Sequence, residues 1–463
     1  MTMKTFDVEP RVNGKVMVGG SKRESVILAG RMAEKGNNEP IYFDGSDNFV
    51  VFEVGKRGSG KSYGMGSLLE GFATTATSKI SAHSDRRAVV LLDPLDIHWT
   101  ALLPLSDSGP EELRRQHAIL AKWENLDVEP INARVFVPAG YDWDIDLPGF
   151  REYQMPVSSM TSDDWGLLLN TDLVTEPRGR LVDEAYRKVT ELGWGWNDVA
   201  TSHAPKSDYG VTDLIQCIEQ DPDIGGFYAQ ETIRSVVQPL RSLARMPLFS
   251  ATGGTRTTEL AEAGVLSILC LGRLPADLRT VVTTVIVRRL RDDRMYASQI
   301  RRRLALSTGS ETSIRDLESE LARHAPRTIL AIDEAQILMP ARGTSFARRA
   351  LDSFVLEGRN YGLSLWLATQ RPKGAISDAA ASQIDTFIVH RLSVAEDINA
   401  MCGLLQNAEP TKIRYAGREL DLADLIRSLD VGQALFSSAN SNAERCVVGN
   451  VRPRMVAHGG EAF

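Results

Sequence analysis

NFVVFEVGKRGSGKS, Asn48 to Ser62, decides the fold. Its first half, Asn48 to Val54, is an apolar run that stops at Gly55, the pattern of a strand buried on both faces of a parallel sheet. Its second half, Gly55-Lys56-Arg57-Gly58-Ser59-Gly60-Lys61-Ser62, satisfies G-x-x-x-x-G-K-[ST] in full, with a strand before it and a predicted helix after it. Glycines here let successive backbone N–H groups turn inward around an anion. The helix N-terminus adds the positive end of a dipole. Gly55, Gly58, Ser59 and Gly60 then form the cradle, Lys61 reaches the β- and γ-phosphates of a nucleotide, and the Ser62 hydroxyl coordinates Mg²⁺. The loop alone leaves the nucleotide open between ATP and GTP.

Outward from this stretch the same kind of apolar run recurs at Ala88–Asp93, Ala133–Pro138, Gly264–Gly272, Arg327–Ala335, Leu363–Gln370 and Asp385–Leu392. Helical stretches separate many of them, so the expected fold class is α/β, a mostly parallel sheet covered by helices on both faces. Residues 1–48 are short, polar and glycine-containing, enough for a few strands but too few for a domain of normal size. Residues 49–140 read as the first part of a core and 261–430 as its second part. Between them, 141–260 reads as a mainly helical insertion, and 431–463 as a C-terminal, brace-like tail.

The run ILAIDEAQ ends in Asp333-Glu334. A carboxylate at the end of a buried strand suits the Mg²⁺ shell, the role given to Asp333. Because strand side chains alternate, Glu334 is expected to point elsewhere, as a general base polarising the attacking water. The next run ends in Gln370, a neutral amide placed to sense the γ-phosphate or orient water. A carboxylate that activates water makes kinases and small GTPases the less fitting classes.

Composition is that of an ordinary globular protein, with 43% hydrophobic and 24% charged residues. The formal net charge of -7 argues against a general nucleic-acid coat, though a pore can be basic while the outside is acidic. Cys217, Cys270, Cys402 and Cys446 show no CxxC spacing; free thiols fit a reducing cytoplasm, the expected location. No apolar run approaches the ~18–20 residues of a membrane helix, so no membrane span is expected.

Taken together, GKRGSGKS, LLDP at Leu91–Pro94, LSILCLGRLP at Leu266–Pro275, ILAIDEAQ, LEGRNYGLSLWLATQRP at Leu356–Pro372, FIVHRL and RPRMVAHGG at Arg452–Gly460 resemble the HerA–FtsK superfamily of ring-forming DNA-pumping ATPases, and the HerA branch most closely. The segments follow the family's order from about residue 49 to the end. The resemblance implies a RecA-like P-loop NTPase core that uses ATP and Mg²⁺. It also implies a homo-oligomer, as a hexamer, with double-stranded DNA as partner. It gives Arg359 the role of a finger reaching the neighbouring subunit's ATP, and Arg391 that of a second phosphate contact. HerA-type proteins usually carry a sizeable N-terminal β-barrel before the loop, and only 54 residues precede it here. Lys56 and Arg57 stand where small or hydroxyl residues are commoner.

Arg288, Arg289, Arg291 and Arg294, followed by Arg301 to Arg303, form the densest basic cluster. Such runs on a helix are normally solvated or paired, the expectation here; a pore lining is the alternative. The function expected from the resemblance is a hexameric ATPase that translocates on or remodels double-stranded DNA, with a separately encoded nuclease or other effector, in a setting such as antiviral defence. A nucleotide-gated scaffold that assembles an effector is the alternative, and a secretion or packaging ATPase a third, weaker reading.

Overall fold

All seven apolar runs are strands, and all seven lie side by side in one parallel block. The computed structural model describes residues 11–12, 15–20, 22–33, 38–75, 78–123, 126–141, 143, 147–195, 202–306, 311–338, 346–375, 377–405, 412–415, 417–438 and 446–460. In chain order the main strands are β1 (Lys15–Gly19), β2 (Ser25–Met32), β3 (Pro40–Asp44), β4 (Val50–Val54), β5 (Ala88–Asp93), β6 (Ala133–Pro138) and β7 (Phe150–Tyr153). They continue with β8 (Leu266–Cys270), β9 (Thr328–Ile332), β10 (Leu363–Thr369), β11 (Thr386–Val389), β12 (Gln433–Ser438) and β13 (Cys446–Val451). Their order across the sheet is β1-β3-β2-β13-β12-β11-β4-β10-β9-β5-β8-β6-β7, and every neighbour pair from β11 to β7 is parallel. Two shorter strands, Arg11–Val12 and Ser81–His83, extend the N-terminal end of the sheet.

The principal helices are α1 (Lys61–Gly71), α2 (Glu111–Leu120), α3 (Ser162–Leu168), α4 (Pro177–Arg187), α5 (Val211–Gln220), α6 (Gln230–Leu243), α7 (Ala276–Leu306) and α8 (Phe346–Gly358). Strand residues alternate between two apolar layers. Val50, Phe52 and Val54 join one, while Phe49 and Val51 join the other; Val90 and Leu92 oppose Val89 and Leu91 in the same way. Helix α1 and the N-terminal strands fill the second layer, with Phe43, Phe49, Phe72 and Trp366 in mutual contact. The first layer takes the helices of 141–260: Trp165, Leu181, Val182, Leu214, Ile218, Val236 and Leu240 are continuous with the sheet's own core residues. The helical insertion is thus packed on the sheet rather than held off it.

The N-terminal strands are part of the main sheet, and the chain's last strands make the join. β13 pairs antiparallel with β2 through Gly449–Met32, Asn450–Arg31 and Val451–Gly30, while β12 pairs with β11. At Gly30 a Cβ would run into the Asn450 carbonyl, so the close approach of the two strands requires glycine there. Residues 433–438 and 446–451 of the expected tail are therefore sheet strands, and only the segment beyond Val451 lies across α1 and α2 as a brace. Among the described residues no helix is long and apolar enough to cross a membrane.

The arginine cluster of α7 is consumed internally. Arg288 pairs with Asp164 and donates to the Ser159 carbonyl, tying α7 to the N-terminus of α3. Arg289 donates to the Thr255 carbonyl, and Arg291 pairs with Asp292. Arg294 is buried and holds the Tyr361 and Ala325 carbonyls. Only Arg301 to Arg303 are exposed, as expected of a solvated helix face.

Candidate nucleotide site

The loop from Gly55 to Gly60 joins the C-terminal end of β4 to α1, with β10 and β11 on either side. Backbone contacts fix it to both neighbours: Gly55 N–H donates to the Thr369 carbonyl at 3.3 Å and Lys56 N–H to the Arg391 carbonyl at 3.0 Å. Gly58 and Gly60 have φ of 75° and 98°, left-handed values that glycine adopts without strain, and nothing lies where a Cβ of Gly58 would be. Lys56 is half-buried and Arg57 exposed. The Ser59 hydroxyl is buried without a hydrogen-bond partner among the described residues. An open glycine cradle, an unpartnered hydroxyl and the N-terminus of an 11-residue helix fit a phosphate chain.

Beneath the loop sits a wholly buried polar pair. His390 Nε2 lies 2.9 Å from Glu53 Oε1, and Trp366 Nε1 donates to Glu53 Oε2 at 2.8 Å. Gly64 packs directly on it: a Cβ there would lie 3.1 Å from Glu53 Oε1 and from His390 Cε1. Burial of a charged group is stabilised only by such complete pairing. The arrangement seats the first turn of α1 on β4 and β11.

The acidic strand, β9, is separated from β4 by β10, so its end faces the loop across one strand. Lys61 Nζ lies 2.5 Å from Asp333 Oδ1, 3.0 Å from Glu334 Oε1 and 3.2 Å from Ser62 Oγ. All but Ser62 are buried. Burial alone would push Lys61 down, but the charges of Asp333 and Glu334 outweigh it and raise its pKa. Burial likewise pushes the Asp333 carboxyl up, and Lys61 and His98 together reverse this, holding it well below the usual range. The expectation that Glu334 points away from Asp333 does not hold. β9 ends at Ile332, and Glu334 takes φ 47°, a left-handed turn that swings both carboxylates onto Lys61.

Glu334 is held from three sides. Gln370 Nε2 donates to Oε1 at 2.7 Å, Gln336 Nε2 donates to Oε2, and Gln336 Oε1 accepts from the Thr369 hydroxyl at 2.7 Å. Gln370 is thus brought to the acidic pair, as its strand-end position implied. Gln336 and Thr369 were not read from the sequence, although ILAIDEAQ and LATQ contain them; their roles depend on the turn at Glu334. His98 was also missed: its Nε2 lies 3.0 Å from Asp333 Oδ2.

Arg359 lies at the opposite edge of the sheet, in the turn before β10. It pairs with Asp385 and donates to the Gln383 carbonyl. β10 has 7 residues and spans ~20 Å, so Arg359 does not reach the loop of its own chain. Arg391 stands beside the loop, half-buried, and engages it through its backbone carbonyl.

The tail beyond β13 crosses α1. Arg452 pairs with Glu70 at 3.0 Å and Met455 N–H donates to the same carboxylate at 2.8 Å, all fully buried. Further on, His458 is bonded to Gln116 of α2 and packs edge-on against Tyr63 and His98.

No protein-family model matches the chain, and no curated protein matches it in sequence. Solved structures do. VirB4 of Thermoanaerobacter pseudethanolicus aligns over 95% of this chain and 98% of its own, with a TM-score of 0.50 at 13% identity. The plasmid coupling protein TrwB, solved with ADP and Mg²⁺, aligns over 96% and 99%, with a TM-score of 0.47 at 14% identity. The genome packaging NTPase B204 of Sulfolobus turreted icosahedral virus 2, solved with AMP, aligns over 42% and 71%, with a TM-score of 0.26 at 15% identity. The VirB4 likeness is one of fold, extends through almost the whole of both chains, and does not single out the HerA branch.

Proposed function

We propose that this chain is an Mg²⁺-dependent ATPase that assembles with copies of itself, as a hexameric ring, and couples hydrolysis to movement on or remodelling of double-stranded DNA. One observation carries the enzymatic part: Lys61, Ser62, Asp333, Glu334 and Gln370 converge at a glycine-rich loop on the C-terminal edge of a parallel sheet. In the proposed mechanism Gly55, Gly58, Ser59, Gly60 and Lys61 hold the phosphates, and Ser62 and Asp333 would hold Mg²⁺, which would supply neutralisation of phosphate charge. Lys61 exchanges its carboxylate partners for phosphate. That exchange removes one of the two donors on Glu334 Oε1, Gln370 being the other, and the oxygen then takes a proton from the attacking water while Gln370 orients it.

The ring, the DNA and Arg359 as a finger acting on the next subunit's nucleotide are supported by the sequence resemblance. The distance of Arg359 from its own loop is in keeping with action in trans. Arg391 is the proposed second phosphate contact. A nuclease or other effector partner and antiviral defence are further parts of this reading and rest on the resemblance alone, while a cytoplasmic location is proposed from the cysteine pattern.

The test is the ATPase rate of purified protein with and without double-stranded DNA. The motor reading expects Mg²⁺-dependent hydrolysis that DNA accelerates. An unchanged rate with DNA, together with a changed rate on adding a co-encoded effector, would replace it with the scaffold reading.

A further inference from the structure

We propose that His98 is a positioning residue for the Mg²⁺-side carboxylate, holding Asp333 Oδ2 so that Oδ1 stays turned toward Ser62 when Lys61 leaves. The inference rests on the ATPase reading above. Asp93, at the end of β5, folds the chain back on itself. Its carboxylate accepts the Leu95 N–H at 3.1 Å and the His98 N–H at 2.7 Å, so His98 is delivered to the strand end beside β9. The ring is buried, and its Nε2 faces a carboxylate oxygen that only accepts, which fixes a proton on Nε2. Nδ1 is buried and has no partner among the described residues. Among the described residues the ring is therefore kept in this buried place by one side-chain hydrogen bond, to Asp333, and by packing against His458.

The two oxygens of Asp333 have different fates in the proposed cycle. The Lys61 contact on Oδ1 competes directly with nucleotide, because the same ammonium is needed by the phosphates. The His98 contact on Oδ2 does not compete, since it approaches from β5 rather than from the loop. Without it the carboxylate would be held, at the moment Lys61 departs, only on the Oδ1 side, where the Glu334 N–H donates at 2.9 Å, and Oδ2 would have no partner among the described residues. Partners of this kind, which touch a ligating group rather than the metal, typically contribute 10- to 100-fold in metal affinity or activity.

The test compares His98→Gln, whose amide N–H reaches the Nε2 position, with His98→Met, of similar bulk and without a donor. Binding of a fluorescent non-hydrolysable ATP analogue is titrated by anisotropy, in EDTA and over a range of Mg²⁺. His98→Met is expected to leave metal-free binding unchanged and to raise the half-saturating Mg²⁺ about 10- to 100-fold. His98→Gln is expected to stay near wild type in both. Should the Met variant fail to fold, by circular dichroism, His98→Asn replaces it, its amide falling short of Asp333. Equal Mg²⁺ dependence in the donor-bearing and donor-lacking variants would overturn the role of His98. Wild-type protein that binds the analogue without any Mg²⁺ dependence would instead remove the ATPase reading, and this inference with it.

Discussion

Glu334 is the residue on which chemistry and conformation meet. Its left-handed backbone puts both its oxygens into bonds, with Lys61, Gln370 and Gln336 all within reach. A general base, the role proposed for Glu334, contributes ~10²–10⁴-fold to rate. Glu334→Gln is therefore expected to lower kcat at least ~100-fold while ATP still binds, measured by steady-state turnover beside equilibrium binding. An equal loss of binding would show that the carboxylate serves structure instead. Much of this site was legible, because Gly55–Ser62, Asp333 and Gln370 sit at strand ends that apolar runs announce. Gln336, Thr369 and His98 were not, because each acts through a turn or a neighbouring strand rather than through spacing along the chain. The alternation rule misplaced Glu334 for the same reason: it applies inside a strand, and β9 stops one residue before Asp333.

At the scale of elements, α1 is held from outside as well as from the loop. Glu70 near its C-terminus is fully buried and accepts from Arg452 and from the Met455 backbone, with Arg454 Nε 3.5 Å away. Removing one member of a buried ion group leaves the others uncompensated and typically costs about 3–5 kcal/mol. Glu70→Ala should destabilise the protein by about that amount in urea unfolding, with ATP binding weakened only as far as α1 loosens. A change below ~1 kcal/mol would mean that the tail is merely laid on the helix. The parallel block was readable because strands buried on both faces are nearly uninterrupted apolar runs. The way β12 and β13 enter it was not, since antiparallel pairing between chain ends leaves no local signature in either partner.

For the whole molecule, the two proposed catalytic groups lie on opposite edges of one sheet, Lys61 at the C-terminal ends of the strands and Arg359 at the other. A complete site in the proposed ring then needs two subunits. Arg359→Ala and Lys61→Ala should each abolish hydrolysis alone, yet a 1:1 mixture should regain activity at the about one in four junctions that pair an intact Lys61 with an intact Arg359. No recovery on mixing, with assembly confirmed by sedimentation, would remove the shared site. The sheet itself also has two contributors, the first strands of the chain and its last. Among the described strands, β2 is joined to the parallel block through β13 and β12, more than 400 residues later in the sequence. At about 5–20 residues per second of synthesis, the edge of β2 waits roughly 20–80 s for its partner to exist. For that interval the nascent chain carries an unpaired strand edge at Gly30 to Met32, beyond the short early pairing of Ser25–Ile27 with Ser81–His83. The last strands to be translated thus decide whether the earliest ones are sealed or left to a chaperone.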